Sequence, residues 1–200
     1  VVWGDRLFVT TAVSGMDDPE LRVGLYGSIE PVQDDTVHRY EVHCLDKNTG
    51  VPLWTRVALE AVPEIKRHTK ATHANCTPAT DGSHVVAFFG SDGLYCYTVD
   101  GDLLWEKDLG VLDSGYFVVP EAQWGFASSP IIHDEMVIVQ CDVQENSFIA
   151  AFSIHDGEQV WRTPRDDVPT WSTPTIYPHA DGARVAVNGY RHMAGYDART

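Results

Sequence analysis

The sequence predicts an all-β chain built from repeated four-stranded units, and three observations carry that reading. A turn-and-tryptophan motif recurs, with Gly50 ahead of Trp54, Gly101 ahead of Trp105 and Gly157 ahead of Trp161. A second marker, two small residues before a proline, keeps step with it at Cys76-Thr77-Pro78, Ser128-Ser129-Pro130 and Ser172-Thr173-Pro174. Between the markers lie short apolar runs separated by Gly-containing turns, without a sustained helical period. Two markers in phase at about 50 residues describe a modular array whose units bury their faces against one another.

The second unit shows the layout most plainly. Cys76 to Thr80 leads through Asp81-Gly82 to the apolar run Val85 to Phe89. Ser91-Asp92-Gly93 then turns into Leu94 to Val99, and Asp100-Gly101 into Asp102 to Lys107. Asp-Gly suits tight hairpins because Gly accepts the positive φ they need. The third unit repeats the order as Ser128 to His133, Met136 to Cys141, Phe148 to Ile154 and Glu158 to Arg162. Leu59 to Ala71, acidic and then basic, is the one candidate for a short helical turn.

Antiparallel meanders of this length bury both faces by stacking radially, which is the arrangement of a β-propeller. The sequence places its blades at 1–60, 73–110, 125–163 and 171–200. The strand bearing Pro78, Pro130 or Pro174 is expected to line the channel. The strand bearing Trp54, Trp105 or Trp161 is expected outermost, its indole filling the wedge toward the next blade. Val1 to Val9 aligns with Ile131 to Val139, and Thr200 precedes the next expected glycine. The chain therefore reads as a partial β-propeller of about four blades from a larger one of about seven or eight. Open blade edges would then invite self-association or a covering partner.

Composition narrows the functions. At 200 residues, with 44% hydrophobic residues and six Trp, the chain has ample material for a core. A formal charge of −15 opposes nucleic acid and anionic membrane surfaces and favours cationic or neutral ligands. No apolar run reaches the roughly 20 residues of a transmembrane helix. The four cysteines, Cys44, Cys76, Cys96 and Cys141, include no C-x-x-C pair. Cys44 and Cys96 share the repeat position of Ala151 and Gly195, so buried packing is preferred to a disulfide. No nucleophile elbow, H-E-x-x-H or phosphate loop occurs, and no catalytic residue or metal site is assigned.

Two places could carry function. Thr11 to His38 interrupts the first unit, and its Asp17, Asp18, Asp34 and Asp35 match no calcium loop, which favours solvated surface charge. The segments entering each channel strand open on one face. They bring His73, Asn75, Gln123, Trp124, Trp171, Arg191 and His192 toward one mouth, the expected place for a protein or small-molecule ligand. The competing reading makes the two Trp core plugs and the His surface groups.

The unit of small-x-Pro, Asp-Gly, an apolar strand, Gly90 to Tyr95, and Leu45-Asp46-x-x-Thr49-Gly50-x-x-x-Trp54 resembles the pyrroloquinoline-quinone-type β-propeller repeat. The resemblance covers the chain apart from 11–38. It implies an extracytoplasmic protein, either a non-catalytic binding scaffold like the outer-membrane assembly propeller lipoprotein or part of a quinoprotein alcohol or sugar dehydrogenase. The dehydrogenase members hold pyrroloquinoline quinone between a Trp and a disulfide of adjacent cysteines, beside a calcium ion. This sequence has no adjacent Cys pair, so no cofactor is expected in this chain.

Overall fold

The computed structural model of the chain describes residues 1–17 and 30–199, so Asp18 and Thr200 lie outside the described residues. Strands β1 (Val2–Trp3), β2 (Arg6–Ser14), β3 (His38–Asp46) and β4 (Pro52–Ala61) form one antiparallel sheet in sequential order. A second follows with β5 (Ala79–Thr80), β6 (His84–Phe88), β7 (Leu94–Thr98) and β8 (Leu103–Lys107). A small hairpin, β9 (Gly115–Tyr116) and β10 (Val119–Gln123), precedes the third sheet. That sheet comprises β11 (Ile131–His133), β12 (Met136–Cys141), β13 (Phe148–Ser153) and β14 (Gln159–Pro164). The last has three strands, β15 (Thr175–His179), β16 (Gly182–Asn188) and β17 (Met193–Asp197).

The repeat alignment reappears as strand register. Trp54 stands opposite Cys44, Trp105 opposite Cys96 and Trp161 opposite Ala151. Each indole reaches over the following sheet and donates its Nε1 hydrogen to a carbonyl there. The acceptors are Val99 O at 3.1 Å, Ile154 O at 2.7 Å and Ala198 O at 3.2 Å. At the opposite edge the Pro-bearing segments are linked in series. Thr77 N donates to Ser129 Oγ at 2.9 Å, and Ser129 N to Thr173 Oγ1 at 3.2 Å. Inner edges joined by small hydroxyls and outer edges joined by Trp give the radial stacking of propeller blades.

The cores lie between sheets. Phe8, Tyr40 and Val42 of the first sheet meet Val85, Ala87 and Tyr97 of the second. Val86, Phe88 and Cys96 then meet Val137, Val139 and Phe152. All four cysteines are buried free thiols. Burial raises the Cys76 thiol above its ordinary range and pushes Cys96 up to about 12, which disfavours the thiolate at both.

Three local expectations change. Leu59 to Ala71 forms no helix: β4 runs on to Ala61 because β3 offers it a ladder as far as His38, paired with Ala61, and a single turn follows in which Ala71 N donates to His68 O at 2.9 Å. The first unit's interruption narrows from 11–38 to 15–37, since β2 and β3 pair out to Ser14 and His38. The channel strands are shorter than expected, starting at Ala79 and Ile131, because the chain before them bonds across to the next blade.

Candidate functional site

In a four-stranded meander the first strand starts and the last strand ends on the same side. The inter-blade segments 62–78, 108–130 and 165–174 therefore share one face with the turns at 90–93, 142–147 and 189–192 and with the described residues 15–17 and 30–37 between β2 and β3. Cross-loop bonds hold that face together. Val32 N donates to Arg67 O at 2.9 Å, and Leu112 N to Ser91 Oγ at 2.8 Å. Gln144 Nε2 reaches Gly115 O at 2.6 Å.

Trp124 and Trp171 meet on this face with ring centroids 6.5 Å apart at 67°. Neither is a core plug, being 39% and 40% exposed. Their positions are nevertheless set from behind. Trp171 Nε1 donates to Gly125 O at 2.8 Å, and His68 stacks on Trp124 at 4.7 Å and 17°. Asn75 donates to Phe126 O at 3.3 Å and accepts from Thr72 N at 3.0 Å. With Tyr116, Lys70, Ala71, Gly125 and Ala127 these residues enclose a cleft of about 560 Å³. Tyr116 arrives on the β9–β10 hairpin, whose neighbouring Phe117 packs on Tyr190 at 4.6 Å.

Of the residues singled out in the sequence, the cleft gathers Asn75, Trp124 and Trp171. Gln123 instead donates to Asp113 Oδ1 at 2.8 Å and to Pro120 O, bracing the hairpin. Arg191 pairs with Asp166, and His192 is exposed at the β16–β17 turn, where its carbonyl accepts from Gly189 N. His73 lies apart, edge-on to His38 at 5.1 Å and beside Tyr40. Tyr116 and Lys70, which line the cleft, and His68, which stacks behind Trp124, were not among the residues singled out.

The second cluster sits at the base of 15–37. Asp34 is buried, not surface charge as its sequence context suggested. It accepts from Ser14 Oγ at 2.7 Å and Thr36 Oγ1 at 2.6 Å, and pairs with His38 Nε2 at 3.4 Å. Burial alone would raise the Asp34 carboxyl, but the bonds from Thr36 and Ser14 outweigh it and bring it down to about 2. Asp35 pairs with Lys66. Desolvation, helped by His38 and Arg67, lowers His73 from 6.5 to about 4. An unfolded His73 takes up a proton below pH 6.5 that folded His73 refuses until about pH 4, so stability falls as pH falls through that window. Replacing His73 with Asn is expected to flatten the pH dependence of the urea midpoint across this range.

The cofactor implied by the repeat finds no fit among the described residues. The four cysteines are separate buried thiols, and no group of three His, Cys, Asp or Glu could hold a metal ion. None of the described helices is long and apolar enough to cross a membrane.

Comparison with known proteins agrees with the architecture. Residues 38–200 match the family described as outer membrane protein assembly factor BamB. Among solved structures, BamB from Moraxella catarrhalis aligns at 15% identity and TM-score 0.51, covering 85% of this chain and 49% of that one. The Kuenenia stuttgartiensis hydrazine synthase aligns at 15% identity and TM-score 0.50, over 91% and 49%. A quinohemoprotein alcohol dehydrogenase from Comamonas testosteroni aligns at 15% identity and TM-score 0.44, over 92% and 32%. The chain thus spans half or less of the length of each. No curated protein matches. Small-residue channel strands, sequential four-stranded sheets, Trp docking between blades and the match over 38–200 together show that this chain belongs to the BamB-type, pyrroloquinoline-quinone-like β-propeller repeat family.

Proposed function

We propose that the chain is part of a non-catalytic binding or scaffold propeller of the cell envelope that recruits a protein or small-molecule ligand through its loop-bearing face. The observation that carries this reading is the cleft. Trp124 and Trp171, each about 40% exposed, are held in place by stacking and a hydrogen bond from the layer beneath, and the equally exposed Tyr116 lines the cleft with them. Exposed aromatics that are already ordered lose little conformational freedom on binding, which suits recognition. Membership of the BamB-type family supports the scaffold role and the extracytoplasmic location.

The test is a titration of the full-length protein with pyrroloquinoline quinone and Ca²⁺, followed by absorbance and by dye-linked alcohol oxidation. A binding scaffold is expected to give neither a saturable spectral change nor dye reduction. Saturable binding with turnover overturns this reading in favour of a quinoprotein dehydrogenase. An alkaline-phosphatase fusion to the full-length protein should be active if it is exported, and inactive if it is not.

A further inference from the structure

The cleft carries more chemistry than its aromatic walls. Ring faces set at steep angles would by themselves suit a quaternary cation. Lys70 alters that preference, because it lines the same cleft, is exposed, and makes no ion pair among the described residues. An unneutralised ammonium repels a cation and attracts a carboxylate. In a chain whose net charge of −15 favours cationic or neutral ligands overall, Lys70 is a local exception, exposed and without an acidic partner among the described residues.

Wall geometry selects further. Indoles meeting at 67° cannot clasp a flat aromatic ring between parallel faces. They can receive a puckered ring that lays its C–H groups on one indole and turns its hydroxyls to the rim. Asn75 stands at the edge of the cleft with capacity left over. One amide hydrogen goes to Phe126 O and Oδ1 accepts one bond from Thr72 N, which leaves a second donor and a second lone pair.

We propose that the cleft formed by Trp124, Trp171, Tyr116 and Lys70 binds a carboxylate-bearing pyranose, such as a uronic-acid residue of an acidic glycan. The proposal rests on the binding-propeller reading and names the ligand class of that same site. A sugar ring stacks on the indoles, its carboxylate pairs with Lys70 Nζ, and its hydroxyls reach the Asn75 amide.

The experiment titrates the full-length protein with oligogalacturonate, a neutral oligosaccharide of matched length and pyrroloquinoline quinone, read by calorimetry and tryptophan fluorescence. Saturable binding of the acidic oligosaccharide, in preference to the neutral one, is expected. Lys70→Met should reduce that preference by about two- to fivefold, the range of an exposed ion pair. Tyr116→Ala and Trp171→Ala should each weaken binding by about tenfold, as loss of a central aromatic anchor does. Among the described residues Tyr116 makes no side-chain hydrogen bond and touches only the ring of its chain neighbour Phe117, so that variant separates binding from folding, with thermal melts as the check. Equal affinity for acidic and neutral sugars, or affinities unmoved by Lys70→Met and Tyr116→Ala, overturns the assignment. Absence of glycan binding without quinone turnover removes the glycan alone. Quinone binding with turnover removes the scaffold reading as well.

Discussion

Replacing Arg165 with Met is expected to destabilise the chain by about 3–5 kcal/mol, the usual consequence of removing one partner from a buried ion pair. Arg165, Asp142 and Asp167 all have fully buried side chains. The guanidinium grips Asp142 through Nε at 2.6 Å and Nη2 at 3.2 Å, reaches Asp167 at 3.3 Å, and donates to the Tyr196 hydroxyl at 2.9 Å. Two carboxylates around one cation leave an excess negative charge. Backbone hydrogens of Val168, Tyr190 and Arg191 meet it at Asp167 Oδ1, while Gln140 Nε2 and Thr170 Oγ1 meet it at Asp142.

Without Arg165 these carboxylates remain buried with hydrogen bonds but no counter-charge. The variant should melt about 6–20 °C below the parent, since 1 kcal/mol moves a domain of this size by about 2–4 °C. Adding Asp142→Asn and Asp167→Asn should recover part of the loss by removing the charges that Arg165 had balanced. A melting temperature within about 1 °C of the parent for Arg165→Met would refute the account. The network also matters to the cleft, since it ties segment 165–174, which carries Trp171, to the turn holding Tyr190.

Much of the fold was legible because propeller blades are repetitive and their markers are steric. A glycine at each outer turn, a Trp beyond it and a proline at each inner strand do the same task each time, so their spacing alone gave register and stacking. Individual boundaries were less legible. Leu59 to Ala71 has the charge pattern of a short helix, but a neighbouring strand long enough to continue the ladder overrode it. Trp124, Trp171 and Asn75 could be placed at the cleft because inter-blade segments open on one face. Lys70 and Tyr116 could not, since their approach depends on how two irregular loops fold over each other. The same holds for Asp34, buried by Ser14, Thr36 and His38, and for Arg165, whose partner Asp142 lies on another loop.

The second large effect is expected at Trp105, which is 7% exposed and bonds Ile154 O across the blade interface at 2.7 Å. Trp105→Ala should cost about 3–5 kcal/mol, through lost burial and the cavity it leaves. Trp105→Phe should cost less, about 1–2 kcal/mol, because the ring survives and chiefly the bond to the buried carbonyl is lost. A glycine packed against the indole gives an independent test of the contact. Gly157 has φ +71, and a Cβ added there would fall 2.8 Å from the Trp105 ring. Gly157→Ala therefore combines backbone strain, about 1–2 kcal/mol at a positive φ, with a steric clash. In the Trp105→Ala background the clash disappears and the strain alone remains, so the two substitutions should be strongly non-additive in a double-mutant cycle. Gly50 supplies the control, having φ +73 with no atom within 4 Å of an added Cβ. Gly50→Ala should show the strain term by itself, whether or not Trp105 is present. Additive effects of Gly157→Ala and Trp105→Ala, measured by urea unfolding, would mean that the tryptophan does not dock on this turn in solution.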